Sequence, residues 1–250
     1  EFARYKDRIV GTHFFNPVVL MEVVEVIKGQ YTSEETMQAA CDMCSKMSKV
    51  PIRIEKESPS FIVNRVNGVL RVFLGAVIDK GIAEPEEIDA MMRYHGKPIG
   101  HFELSDYAGL DVVYDALEYR KKALHPEYEP YQRLVEKVKQ KQYGKKTGKG
   151  FYDWSNGRPV IDINKRTNAI TIDDIEFVKF NEAAKLVEER VSNVKDINLA
   201  MTLANGEPEG PFQTAQRYEL NEVIERLEHL SKELGKEILR PSSLLLEESF

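Results

Sequence analysis

Apolar positions follow two different periods along this chain, and the change of period divides it. From Leu20 to Ile27 nearly every residue is apolar or β-branched, interrupted by two glutamates, which predicts a strand buried on both faces. Arg8 to His13 predicts a shorter strand running into the turn pair Asn16-Pro17. Met37, Ala40, Cys41, Cys44 and Met47 then recur at helical spacing behind Thr32-Ser-Glu-Glu35, which reads as a capping box, so a helix is expected over about 33–49. Val50 to Glu55 predicts a third strand. Residues 1–57 therefore read as the closing strands and helix of an α/β unit.

Past Ser58-Pro59-Ser60 the period becomes helical. A long helix is expected over 61–80, with Ile62, Val66, Val69, Phe73 and Val77 on its apolar face, and Gly81 stops it. Its opposite face is small and polar: Asn64, Gly68, Arg71 and Gly75. Glu84-Pro85-Glu86-Glu87 opens a second helix that closes at Gly96, and further helices are expected over 103–123 and 131–142. Gly144 to Gly150 is a glycine and lysine loop leading into Phe151-Tyr-Asp-Trp154. Residues 156–175 read as a linker or a small strand pair, and the helical pattern returns from Glu176.

An internal repeat lies under this pattern. Ile88-Asp-Ala-Met-Met92 and Gly96-Lys-Pro-Ile-Gly-His-Phe102 recur as Ile197-Asn-Leu-Ala-Met201 and Gly206-Glu-Pro-Glu-Gly-Pro-Phe212, a separation close to 110 residues. Two such helical copies are expected to pack as a pseudo-dimer within one chain, although a homodimer stays open.

The net charge of −6 argues against nucleic-acid partners, because the densest basic patch is only Lys145, Lys146 and Lys149. No apolar run reaches the roughly 20 residues of a membrane span, so no membrane partner is expected. Cys41-x-x-Cys44 invites a metal or redox reading. Both thiols sit on the apolar stripe of one helix with no second ligand pair, so packing is the better reading and no metal is assigned. Few cysteines suggest a cytoplasmic protein. The chain begins Glu-Phe-Ala, which reads as a fragment or processed piece.

The candidate chemistry is a pair. His13 stands in one predicted strand, and histidine is suited to proton exchange near neutral pH. Glu25 sits inside Val23-Val-Glu-Val-Ile27, where a carboxylate is costly unless it is paired. If the strands are neighbours, Glu25 can orient His13 and stabilise its imidazolium.

Gly11-Thr-His-Phe-Phe-Asn-Pro17 with Met21-Glu-Val-Val-Glu-Val-Ile-Lys28 resembles the signature of the L-3-hydroxyacyl-CoA dehydrogenases of fatty acid β-oxidation. The resemblance continues through Ser60-Phe-Ile-Val-Asn-Arg65, Gly96 to Asp111 and Lys145-Lys-Thr-Gly-Lys-Gly-Phe-Tyr152, and the tandem arrangement resembles the multifunctional β-oxidation proteins. It implies a mainly α fold: two helical domains like the C-terminal domain of 6-phosphogluconate dehydrogenase, over 58–155 and 156–250, preceded over 1–57 by the last strands of a Rossmann-type sheet. It implies NAD as cofactor and an acyl-CoA substrate. His13 would be the catalytic base, Glu25 its orienting acid, and Asn64 would position the reacting oxygen. Asn16 would contact the nicotinamide side of the cofactor, and Lys146 would reach the cofactor from the helical domain.

Two departures stand out. His101 occupies a loop position where the family usually has proline. There is no Gly-x-Gly-x-x-Gly, and the Gly144–Gly150 run has neither that spacing nor that of a phosphate-binding Walker loop. Most of the NAD-binding domain is therefore expected to be missing, together with a CoA-contacting serine, and the chain is expected to be nearly inactive alone. Leu239-Arg-Pro-Ser-Ser-Leu244 resembles the closing segment of the second domain in multifunctional members. The competing readings are a dimerisation or assembly module without catalysis, and an acyl-chain binder. Neither needs the triplet His13, Glu25 and Asn64.

Overall fold

The computed structural model describes residues 4–247. Among the described residues three strands are formed, β1 (Gly11–Phe14), β2 (Val23–Ile27) and β3 (Val50–Ile54), all shorter than their apolar runs suggest. They make one sheet in the order β1-β2-β3, antiparallel between β1 and β2 and parallel between β2 and β3. The parallel step is crossed by helix α1 (Glu34–Lys46), as a right-twisted sheet requires of a parallel connection. The cap of α1 is Ser33, whose hydroxyl accepts the Thr36 N–H. Thr32, read above as the cap, instead donates its hydroxyl to the Ile9 carbonyl at 2.6 Å and accepts the Gly29 N–H.

The helices that follow are α2 (Val63–Asp79), α3 (Pro85–Tyr94), α4 (His101–Ala108), α5 (Leu110–Ala123), α6 (Gln132–Lys139), α7 (Ile172–Glu188), α8 (Val194–Asn205), α9 (Pro211–Ala215), α10 (Leu220–Leu234) and α11 (Ser243–Leu246). The single helix expected over 103–123 is two, because Gly109 breaks it at φ +104°, a conformation that side chains disfavour. Among the described residues, 156–175 hold a short 3-10 turn and the start of α7, with no strand pair.

By contacts the chain falls into two compact units: the described parts of Glu1–Asn67, Lys179–Ile224 and Pro241–Phe250, and a second made of Gly68–Val178 and Glu225–Arg240. The division falls within α2, α7 and α10.

In the first unit, one face of the sheet packs on α1: Val24 and Val26 meet Met37, Ala40, Cys41 and Cys44, with Val10 and Phe14 alongside. Both cysteines are packed there as small apolar groups, and burial raises both thiol pKa values. A buried ion pair adds to this unit. Arg65 Nε donates to Glu182 at 2.7 Å, both side chains being about as buried as the apolar core, and Arg65 also donates to Glu189 and Ser58. Burial pulls the Arg65 guanidinium down, but Glu189 and Glu182 outweigh it and raise it.

In the second unit, two buried carboxylates fix the loops. Asp89 accepts the N–H groups of Phe102 and Glu103 and the hydroxyl of Tyr152. Asp106 accepts from Phe151 N–H, Tyr152 N–H and Trp154 Nε1–H, which folds the Gly144–Trp154 segment onto α4. Helices α2 and α7 have equal lengths and begin 109 residues apart. Asn198 Oδ1 accepts the Phe212 N–H in the first unit as Asp89 Oδ1 accepts the Phe102 N–H in the second.

Candidate active site

The site is built from the alternation of side chains in β1 and β2. Val24 and Val26 point to α1, so Glu25 between them points to the other face of the sheet. The antiparallel register sets His13 directly opposite Glu25, and residues facing each other across a ladder share a face. Their side chains meet: His13 Nδ1 lies 2.6 Å from Glu25 Oε2. A carboxylate can only accept, so Nδ1–H is the donor and Nε2 is left with the lone pair that can take a proton.

Glu25 is fully buried, and its second oxygen is also engaged. Oε1 accepts two backbone N–H groups, from Ile62 and Val63, each at 3.0 Å. These amides open α2, where the first N–H groups of a helix have no partner within it and favour a negative charge. The chain reaches this position through Ser60 and Phe61 at φ +69° and +55°. Such left-handed conformations are uncommon in residues other than glycine and cluster where a functional group must be aimed. Phe61 and Phe15 then flank the imidazole, with ring centroids 5.5 and 4.6 Å away. His13 remains partly exposed, as a group that meets a substrate must be.

The other candidates are placed as follows. Asn64 stands exposed in the first turn of α2, next after the two amides that hold Glu25. Asn16 is exposed in the turn after β1 and precedes a cis peptide bond to Pro17. Lys146 belongs to the second unit, where it pairs with the Asp111 carboxylate and lies over the Tyr143 ring at 5.4 Å. A cavity of about 760 Å³ opens beside His13, walled by Ile9, Val10, Ile27 and Phe61 with Lys6 and Glu57 at its polar side. Its size is that of a small-molecule site.

Sequence reasoning missed the Ile62 and Val63 amides, since any residue type supplies an N–H, and the two phenylalanines that hold the ring. The aromatic flanks of His13 were the available signal for Phe15. Nothing local signals Phe61.

Asn16 offers an amide that can both donate and accept, and it stands outside the lining of the cavity beside His13, whose walls include Ile9, Val10, Ile27 and Phe61. A glycine-lined pyrophosphate cradle is not found in the sequence.

The family model for the 3-hydroxyacyl-CoA dehydrogenase C-terminal domain matches residues 61–154 and 175–248, and that for the 3-hydroxyacyl-CoA dehydrogenase NAD binding domain matches residues 1–58. Residues 1–58 are thus NAD-binding-domain sequence, and the expectation that most of this domain is missing is not supported. Mitochondrial hydroxyacyl-coenzyme A dehydrogenase of Mus musculus is 40% identical over 152 residues, 60% of this chain and 48% of the relative. The fatty acid oxidation complex subunit alpha of Idiomarina loihiensis is 30% identical over 97% of this chain and 36% of its own length. The crystal structure of 3-hydroxybutyryl-CoA dehydrogenase from Escherichia coli K12 covers 97% of this chain and 70% of its own, with a TM-score of 0.88 and 24% identity, a likeness of fold. The chain spans about half the length of the mouse relative it matches. With its His13–Glu25 pair set in a stretch matched by the NAD-binding model and more than half of its residues matched by the C-terminal model, the chain belongs to the 3-hydroxyacyl-CoA dehydrogenase family, whose cofactor is NAD.

Proposed function

We propose that this chain carries the proton-transfer and substrate-positioning groups for NAD-linked oxidation of an L-3-hydroxyacyl-CoA to the 3-oxoacyl-CoA. NAD supplies the acceptor for the hydride that leaves C3. His13 Nε2 takes the proton of the 3-hydroxyl, and the imidazolium that forms is stabilised by Glu25 through Nδ1–H. Glu25 keeps its orientation because the Ile62 and Val63 amides hold its other oxygen. Asn64, one residue along, is the group we assign to positioning the reacting oxygen. Asn16 serves the nicotinamide side, and Lys146 the cofactor from the helical part.

The observation that carries this reading is the fully engaged Glu25: a buried carboxylate with one oxygen on a partly exposed histidine and the other on two helix-opening amides. An assembly module has no use for such an arrangement. The equal α2 and α7, the matching Asp89 and Asn198 contacts and the two stretches matched by the C-terminal model support a reading of two related helical copies. These copies would replace the second subunit of a homodimer by a pseudo-dimer within one chain.

The test is NADH-dependent reduction of acetoacetyl-CoA, using the natural gene product that carries this sequence and, in parallel, the 250-residue chain. Turnover is expected in the former, and the rate of the latter measures how much of it these residues supply. A natural product that is folded, binds NADH and leaves acetoacetyl-CoA untouched would remove the proposal in favour of the assembly reading.

A further inference from the structure

The segment that holds the His13–Glu25 pair is itself held by one side chain. Phe61 flanks the imidazole, and the Ile62 and Val63 amides bind Glu25 Oε1 at 3.0 Å each. All three contacts depend on Ser60 and Phe61 standing at φ +69° and +55°, conformations that are costly and persist only where the surroundings fix them.

Arg65 supplies that fixation. Its guanidinium reaches back past the two left-handed residues to the Ser58 hydroxyl at 2.9 Å. It also reaches outward to two carboxylates. Nε donates to Glu182 Oε1 at 2.7 Å, and Nη1 and Nη2 grip the two oxygens of Glu189 at 2.6 Å each. Ser58 and Arg65 are both buried. The backbone between them is closed by two further bonds, from Phe61 N–H to the Ser58 carbonyl and from Arg65 N–H to the Ile62 carbonyl.

The two carboxylates stand late in α7 and just after it, and this stretch is also tied to the sheet. The Glu55 N–H donates to the Val191 carbonyl at 2.9 Å, and the Ser192 hydroxyl donates to the Arg53 carbonyl at 3.2 Å. Two residues beyond Arg65, the Asn67 and Asn205 side chains exchange hydrogen bonds of 3.0 and 3.3 Å. Residues 182–205 therefore brace both the sheet that carries Glu25 and the turn that binds it. Stability alone does not account for this. A buried ion pair contributes little beyond what apolar side chains of similar volume would. A planar guanidinium shared among three acceptors fixes a direction, which a lysine ammonium would not do.

We propose that Arg65 is a positioning residue for the proton-transfer pair, with Glu182 and Glu189 acting through it. The fork holds the 58–65 turn so that the Ile62 and Val63 amides stay aimed at Glu25. The inference rests on the dehydrogenase reading for its effect on rate, and its structural readout needs no turnover.

The test is Arg65→Met combined with Glu182→Leu, which leaves neither member of the buried pair as a lone charge. Amide hydrogen exchange on the 250-residue chain should run roughly tenfold faster at Ile62 and Val63, while the β1–β2 ladder keeps the protection of the parent. In the natural gene product, kcat with acetoacetyl-CoA should fall by up to roughly 100-fold at unchanged KM, as expected when alignment is lost and substrate binding is not. Glu189→Leu keeps the buried Arg65–Glu182 pair and should move both readouts the same way, and it decides the matter if the double variant does not fold. Exchange at Ile62 and Val63 that is unchanged, or accelerated equally throughout the sheet, overturns the proposal, as does a kcat equal to the parent's. A natural product that shows no turnover before any substitution, with those two amides selectively released in the variants, would remove the dehydrogenase reading and leave the hold of Arg65 on Glu25 standing.

Discussion

Replacing Glu25 by glutamine tests the proton-transfer pair at its least replaceable atom. The amide has one acceptor and one donor end, and the structure dictates which way it turns. Turned with its NH2 toward Ile62 and Val63, it would face two N–H donors and leave both unpaired. It therefore keeps its oxygen on those amides and presents N–H to His13. Nδ1 must then accept, the ring proton moves to Nε2, and the nitrogen needed as base is occupied. The expected loss is that of a general base, roughly 10²–10⁴-fold in turnover. Stability should fall by only about 1–3 kcal/mol, because three charge-assisted bonds weaken while the burial of a charge is relieved. Ring-nitrogen ¹⁵N NMR on the chain reads the tautomer directly, and acetoacetyl-CoA reduction reads the rate. Retention of the Nδ1 proton in Glu25→Gln, with turnover unchanged, would refute the reasoning.

Arg65→Met leaves Glu182 buried without its guanidinium and should cost about 3–5 kcal/mol in urea unfolding, whereas Arg65→Met with Glu182→Leu should recover most of it. Burial pushes the Glu182 carboxyl up, but Lys185 and Arg65 outweigh it and hold it below its ordinary value. The stability it contributes is present above the ordinary carboxylate range and is lost as pH falls through the lowered value, a loss that the double variant should not show. Burial pushes Asp89 the other way, up to about 7 from 3.8. Between those values the native state binds more protons than the unfolded one, so this contribution declines as pH rises through the window, and Asp89→Asn should flatten that slope. The same substitution should lower stability by about 1–2 kcal/mol, because the Glu103 amide loses its acceptor. Asn198 already accepts the corresponding Phe212 amide, so the variant should fold. Cys41 and Cys44, buried with raised thiol pKa values, should react with iodoacetamide only as the chain unfolds.

The pair His13 and Glu25 was legible in the sequence because it depends on short-range order. A carboxylate inside a continuous apolar strand must find a partner, and two antiparallel strands joined through residues 15–22 bring their facing residues together. The Ile62 and Val63 amides were not legible, since their role follows from two left-handed residues that carry no glycine or asparagine signal. The Arg65–Glu182 pair spans 117 positions, so neither charge announces the other. The break at Gly109 turned on one backbone angle inside an otherwise helical pattern. The α1 cap is Ser33 because the Thr32 hydroxyl accepts the Gly29 N–H and donates to the Ile9 carbonyl, the second a tertiary contact.

The central claim is that His13 is the base of an NAD-linked oxidation. The most direct measurement is the turnover of acetoacetyl-CoA with NADH by the natural gene product bearing His13→Gln, alongside its circular dichroism and its NADH affinity. A loss of roughly 10²–10⁴-fold in kcat is expected, with fold and NADH binding preserved. Turnover equal to that of the unaltered protein would contradict it.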